Sequence, residues 1–469
     1  MTTTGKTALT EIHEQIPNFL AALHGELIQP GDEQYNEVRS VYNGMIDRRP
    51  ALIARCMDAA DVMAAVNFAR ENNILLAVRG GGHSGPGLGT CEDGLVIDLS
   101  PMKGIRVDPA TDTVRVEGGC TWGDVDHATY PFGLAVPTGF ISTTGVGGLT
   151  LGGGFGYLSR RYGLTIDNLL AVDMILADGR FVTANAEEYS DLFWAVRGGG
   201  GNFGVVTSFL FRGCPVSTVY GGPMFWELEH AYAVMRYWRD TILTGPEEIN
   251  GWFGFHTVPP VDMFAAEHHL KKMAVITWCH TGNLDEAEQV FKPIREIAPL
   301  AMDFAGPIPL PALQSLFDGL YPPGLQWYWN ADFFTELSND AIDIHIQKAT
   351  NLPTVHSTVH LYPINGVAHR VGKNDTAWSF REANFAQVIV GVDPDPANNE
   401  RIIRWSKDYW RALHPYSAGG AYVNMIMDEG ADRVMAAYRN NYPRLAQIKA
   451  KYDPHNLFRV NQNIKPMTG

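Results

Sequence analysis

The sequence predicts an α+β protein of two domains, and three observations carry that reading. Its 469 residues suit two or three domains at the usual ~100–200 residues each. Up to about residue 212, short apolar runs, hairpin turns and helical patterns alternate. After Pro215 glycine thins out and tryptophan and tyrosine become frequent, from Trp226 to Trp410, which marks a second unit with its own sheet.

Taken in order, Leu9, Ile12, Ile16, Phe19, Leu20 and Leu23 recur at helical spacing and predict an amphipathic helix over 9–23. Val62, Ala65, Val66 and Ala69 predict a second over 60–72. Apolar runs at 74–78 and 95–99 read as strands. The turn Asp108-Pro109-Ala110-Thr111-Asp112 joins strands at 105–107 and 114–116, and Asp178-Gly179 joins 170–176 to 180–183. One more strand spans 204–212. In the second unit the pattern predicts a helix over 284–297 and strands over 273–279 and 354–362. The terminal string from Tyr452 to Asn463 is expected to pack back on the first unit. The division is therefore 1–215, 216–414, and a segment 415–469 that returns to the first domain.

Composition narrows the function. With 36 basic and 51 acidic residues the net charge is −15, which argues against a nucleic-acid partner held by bulk charge. No run approaches the roughly 18–20 apolar residues of a membrane span. The start has no basic-then-apolar leader pattern, so a cytoplasmic location is expected. Five cysteines without a CxxC exclude a disulfide scaffold and the usual zinc spacings, and no metal site is expected.

The 48 glycines concentrate in three clusters: Arg79-Gly80-Gly81-Gly82-His83-Ser84-Gly85, the block from Gly145 to Gly156, and Arg197-Gly198-Gly199-Gly200-Gly201-Asn202-Phe203-Gly204. Lacking a Cβ, glycine lets backbone N–H groups converge on an anion and lets a planar ring lie against the chain. Three clusters point to one extended ligand with phosphates and rings, a dinucleotide; taken singly, each could be a tight turn between strands. Two of them spell GxGxxG, but the first runs into Pro86 and Gly87 and the third into the strand-like Val205-Val206-Thr207. Neither opens a helix, so the nicotinamide fingerprint fails on context.

These clusters, together with Tyr162-Gly163-Leu164, Asp191-Leu192-Phe193-Trp194-Ala195-Val196-Arg197-Gly198, Asn202-Phe203-Gly204-Val205-Val206-Thr207 and Asn461-Gln462-Asn463, resemble the berberine-bridge-enzyme-like flavoprotein oxidases of the vanillyl-alcohol-oxidase superfamily. The resemblance spans nearly the whole chain and is strongest over 48–212 and 450–464. It implies the two-domain FAD-binding fold of that superfamily, an α/β substrate domain, and FAD as cofactor. His83 is implied as the covalent attachment point. The position of a second, cysteinyl link falls on Ile141, which cannot form a thioether, so attachment through His83 only is expected. Arg79, Gly80, Gly81, Gly82 and Ser84, with Gly145, Gly147 and Gly148, are implied at the pyrophosphate. Val205 and Val206 are implied at the adenine end, Asn461 and Asn463 at the isoalloxazine, and Thr138 among the remaining contacts. Thr144 occupies the position that influences oxygen access, and its β-branched shape favours an oxidase.

Ala421-Tyr422-Val423-Asn424 resembles the family segment that presents a tyrosine to the flavin, so Tyr422 is implied as base or substrate-orienting hydroxyl, with Asn424 beside it. The implied reaction is hydride transfer from a small organic substrate (an alcohol, amine or sugar) to FAD, with molecular oxygen as acceptor and hydrogen peroxide as product. A flavin dehydrogenase with another acceptor, or a non-catalytic flavin-binding protein, keeps every motif. Trp327-Tyr328-Trp329 and His360-Leu361-Tyr362 could line an aromatic pocket, but aromatics at strand spacing more often make core, and core is the expectation here.

Overall fold

A computed structural model describes residues 14–467. Three sheets meet around one cavity. The first contains β1 (Glu26–Ile28), β2 (Leu52–Arg55), β3 (Leu76–Arg79) and β4 (Leu95–Asp98) in the order β1-β2-β4-β3. β2, β4 and β3 run parallel. Parallel neighbours need a crossover, and the helix Ala59–Glu71 supplies one, started by the Asp58 carboxylate accepting from the N–H groups of Ala60 and Asp61. Its apolar stripe packs Val62, Val66 and Ala69 on Leu76, Leu95 and Ile97. Leu457 and Phe458 from the terminal string enter the same core.

The second sheet is antiparallel, β5 (Ile105–Asp108), β6 (Thr113–Glu117), β7 (Leu169–Ile175), β8 (Phe181–Asn185) and β9 (Val205–Arg212), in the order β5-β6-β9-β7-β8. Both hairpins expected from the turn residues are present, with Val107 paired to Val114 and Ile175 to Phe181. The third sheet has eight antiparallel strands: β10 (Thr218–Glu227), β11 (Ile249–Thr257), β12 (Lys272–His280), β13 (Met302–Asp303), β14 (Gly306–Pro309), β15 (Gln326–Phe334), β16 (Thr358–Pro363) and β17 (Phe385–Asp393).

Alternation along these strands separates two surfaces. Phe253 and Phe255 of β11, Val359 and Leu361 of β16, and Phe385 and Ile389 of β17 pack against helices through Trp238, Phe291, Ile342 and Tyr409. The other face turns to the cavity.

Two expectations need correction, and a third falls partly outside the described residues. The helix begins at Ile16 among the described residues, and the expected start with Leu9 and Ile12 lies outside them. The helix expected over 284–297 opens as a 3₁₀ turn capped by Asn283, continues as Ala287–Arg295, and carries Pro293, whose missing N–H weakens its last turn. The strand expected from 354 starts at Thr358, because Thr354 and Ser357 bond through their hydroxyls at 2.7 Å and Ser357 N–H donates to Thr354 Oγ1, making a turn instead. Among the described residues no helix is long and apolar enough to cross a membrane.

Candidate active site

The three sheets enclose a cavity of about 430 Å³. All three glycine clusters reach it, as do Val205 and Val206 at the start of β9. Gly81 and Gly145 serve each other: a Cβ on Gly81 would stand 2.5 Å from the Gly145 backbone, so the first two loops touch through bare Cα atoms. Gly82 holds φ +71°, a region costly to residues with a Cβ. Gly148 and Gly201 line the cavity with nothing within 4 Å of where a Cβ would be.

The loops are pinned from behind. Arg79 lines the cavity and is held at 2.8 Å from Asp98 on the adjacent strand, both side chains buried, so its guanidinium braces the first loop. Asn43 donates to the carbonyls of Gly85 and Trp327 and accepts from Trp327 N–H, tying that loop to β15. Lys449, wholly buried, donates to Asp453 at 2.6 Å and to the carbonyls of Asn202 at 2.7 Å and Phe458 at 2.8 Å. It joins the third glycine loop to the terminal string. The return of that string is completed by Asn461 donating to Gly201 and Ile464 N–H donating to the Asn202 side chain.

His83 faces the cavity and lies flat on Tyr42, ring centroids 3.9 Å apart. Burial pushes its imidazole down to about 4, so near neutrality one ring nitrogen carries a free lone pair. Ile141 and Thr144 also line the cavity, and no cysteine does: all five are free, buried and elsewhere. Thr138 lies outside the lining with its hydroxyl buried and unpartnered.

Tyr422 and Asn424 reach the cavity beside the second glycine block. The Tyr422 hydroxyl donates to Leu149 O and accepts from Gly154 N–H and the Asn424 amide, and burial pushes the phenol up. Asn424 also donates to Gly148 O at 2.8 Å.

The aromatic segments expected as core do both jobs. Trp327 and Trp329 of β15, His360 and Tyr362 of β16, and Val388 and Val390 of β17 form one wall, with Phe140 stacked on Tyr362 and Phe155 beside it, while Leu361 faces the helices. The expectation overlooked that a period of two sends alternate residues to different surfaces. Arg79 is the one Lys, Arg, Asp or Glu among the lining residues, and it is paired away. Among the described residues no group of three or more His, Cys, Asp or Glu could hold a metal ion.

A flavin dinucleotide fits this chemistry. Glycine loops leave open space on the cavity side at Gly148 and Gly201. The side-chain carbonyls of Asn461, which lines the cavity, and of Asn463, which lies outside the lining, are both buried without partners, and a buried unsatisfied acceptor costs about 1–3 kcal/mol unless something donates to it.

Comparison with known proteins agrees. Residues 50–185 match the FAD binding domain family model, and residues 421–465 the berberine and berberine-like model. An FAD-linked oxidoreductase of Dictyostelium discoideum is 32% identical over 457 residues, covering 97% of each chain. (R)-6-hydroxynicotine oxidase of Paenarthrobacter nicotinovorans is 30% identical over 465 residues, covering 95% of this chain and 97% of that one. The crystal structure of 6-hydroxy-D-nicotine oxidase from Arthrobacter nicotinovorans superposes with TM-score 0.84 at 26% identity, covering 95% of this chain and 98% of that one. The chain is thus an enzyme of the berberine-bridge-enzyme-like family of FAD-linked oxidoreductases.

Proposed function

We propose that the protein is an oxidase carrying FAD attached through His83 alone. When bound, FAD would accept a hydride from a small organic substrate and pass the electrons to molecular oxygen, giving hydrogen peroxide. The observation that carries this reading is His83 itself, a neutral imidazole facing a glycine-lined cavity and held in one orientation by Tyr42. The isoleucine at 141, and the absence of any cysteine from the lining, support a single link.

Residues 1–215 and 415–469 would hold the cofactor, with 216–414 roofing the substrate. Backbone N–H groups of the loops containing Gly80–Ser84 and Gly145–Gly148 would bind the pyrophosphate, Val205 and Val206 the adenine end, and Asn461 and Asn463 the ring edge, where carboxamides both donate and accept. Thr144 would leave oxygen a path. Tyr422 and Asn424 would orient the substrate over the second glycine block, the two donors on the Tyr422 oxygen fixing its direction. The wall of Trp327, Trp329, Phe140 and Tyr362 would exclude water and hold the donor carbon in place. With its one charged lining residue, Arg79, paired to Asp98, the cavity suits a substrate bound in neutral form better than an ion. Five unbridged cysteines are in keeping with work in the cytoplasm.

Anaerobic mixing with a panel of alcohol, amine and sugar donors tests the reading. A true donor bleaches the flavin, and admitted air restores the colour with peroxide formed. Slow return in air but fast return with an artificial acceptor would make it a dehydrogenase. A flavin that no donor bleaches would make it a binding protein.

A further inference from the structure

Within the aromatic wall runs a chain of polar side chains that the hydride chemistry leaves unused. Thr358, His360 and Tyr362 alternate along β16 and share its cavity face. His256 on the neighbouring strand β11 joins them, but it is not a lining residue and keeps partial exposure. The Tyr362 hydroxyl is 2.6 Å from His360 Nδ1, and the two Nε2 atoms of His360 and His256 are 3.2 Å apart. Thr358 Oγ1 sits 3.0 Å from one and 3.2 Å from the other.

Proton positions follow from counting. The single hydroxyl proton of Thr358 goes to the carbonyl of Phe255 at 2.9 Å, so its oxygen can only accept from a ring N–H. Two imidazole nitrogens in contact cannot both carry hydrogen, and two bare ones would repel. One Nε2–H is therefore present, and two arrangements satisfy the Tyr362–His360 and His360–His256 contacts. In the first, Tyr362 donates to His360 Nδ1 and His360 Nε2–H donates to His256, leaving the phenol oxygen free to accept from the cavity. In the second, both bonds run the other way and the Tyr362 proton points into the cavity.

We propose that Tyr362 is the catalytic residue that takes the substrate's proton, and that His360 and His256 relay it away from the cavity. This rests on the oxidoreductase reading above. As the substrate C–H pair leaves as hydride to FAD, the substrate O–H or N–H bond breaks and a C=O or C=N bond forms. The proton bonds to Tyr362 oxygen, whose own proton bonds to His360 Nδ1. His360 Nε2–H transfers its proton to His256 Nε2, and His256 releases its Nδ1 proton to water. The first arrangement has become the second, and no charge remains on Tyr362, His360 or His256. Burial supports a chain of neutral groups: it pushes His256 down to about 4, His360 further below the usual range with help from His256, and the Tyr362 phenol up. The titratable groups facing the chain are the phenols of Tyr157 and Tyr321.

The test uses the flavin-loaded protein with ring-¹⁵N histidine, the signals of two of its 15 histidines assigned through His360→Asn and His256→Asn. Tyr362→Phe keeps the ring and removes only the hydroxyl. It should move the ring-nitrogen signals of His256, which Tyr362 does not touch, along with those of His360. With a donor found by bleaching, Tyr362→Phe should slow anaerobic reduction about 100-fold, in the usual range for losing an acid–base group, and abolish its solvent deuterium isotope effect. His256→Asn should slow it about tenfold, a smaller part of the same acid–base contribution. Unmoved His256 signals, or reduction at the wild-type rate in Tyr362→Phe, would overturn the relay. A wild-type protein without flavin would sink the functional reading and the catalytic half of this one together, while the coupling between Tyr362 and His256 would persist.

Discussion

Replacing Gly81 by alanine should force apart the first two glycine loops, whereas the same change at Gly148 should leave them in place. A Cβ on Gly81 would meet the Cα and N of Gly145 at 2.5 Å, where ordinary contact begins near 3.4 Å. The loops would have to separate by roughly 0.9 Å, and because both partners are backbone no side chain can rotate away; overpacking of this kind costs about 1–3 kcal/mol. In a chain of this size that lowers the melting temperature by about 1–3 °C. Gly148 lies in the helix Val146–Gly152 with nothing within 4 Å of its added methyl. Alanine there gains about 0.5–1 kcal/mol of helix propensity, yet its methyl projects into the cavity. Thermal melts of flavin-free protein from riboflavin-limited culture should therefore show Gly81→Ala below wild type and Gly148→Ala level or above. Flavin per chain, measured on protein from rich medium, should fall in both. A Gly81→Ala protein that melts with wild type would refute the loop-contact argument. Full flavin content in Gly148→Ala would refute its place in the cradle.

Lys449→Met should cost about 3–5 kcal/mol, since it strands the buried Asp453 carboxylate; adding Asp453→Asn should restore part of the lost melting temperature, and no restoration would contradict the pairing. Acid should destabilise the flavin-free protein in a defined window. Burial holds His83 and His256 near 4 and His345 near 3, against 6.5 normally, so the unfolded chain binds more protons and stability falls as pH drops below 6.5. A melting temperature that is flat from 6.5 down to 4 would contradict this. Asp126 works in the opposite sense: burial pushes its carboxyl up to about 7, so folding is penalised as pH rises, and Asp126→Asn should stabilise the protein most above neutrality. Equal effects at low and high pH would speak against that burial.

Much of the architecture was legible because it is local. Turn residues at 108–112 and 178–179 announced their hairpins, and the 3.6-residue spacing of Val62, Val66 and Ala69 announced a helix. The glycine clusters announced a cradle, but composition could not tell Gly81 and Gly145, which are packed on each other, from Gly148, which borders open space. That distinction depends on loops 64 residues apart in sequence. The same limit hid Asn43, Lys449 and His256, ordinary residues until the fold brings them to Gly85, Asn202 and His360. The resemblance implies Arg79 at the pyrophosphate; its buried partner Asp98 comes into view only with the strand pairing.

The intact mass of denatured protein tests the central claim most directly. Wild type should be heavier than its polypeptide by one FAD and stay yellow through acid precipitation, while His83→Ala should show the bare chain mass and a colourless pellet. A wild-type mass equal to the polypeptide alone, or a flavin adduct that survives in His83→Ala, would contradict attachment at this imidazole.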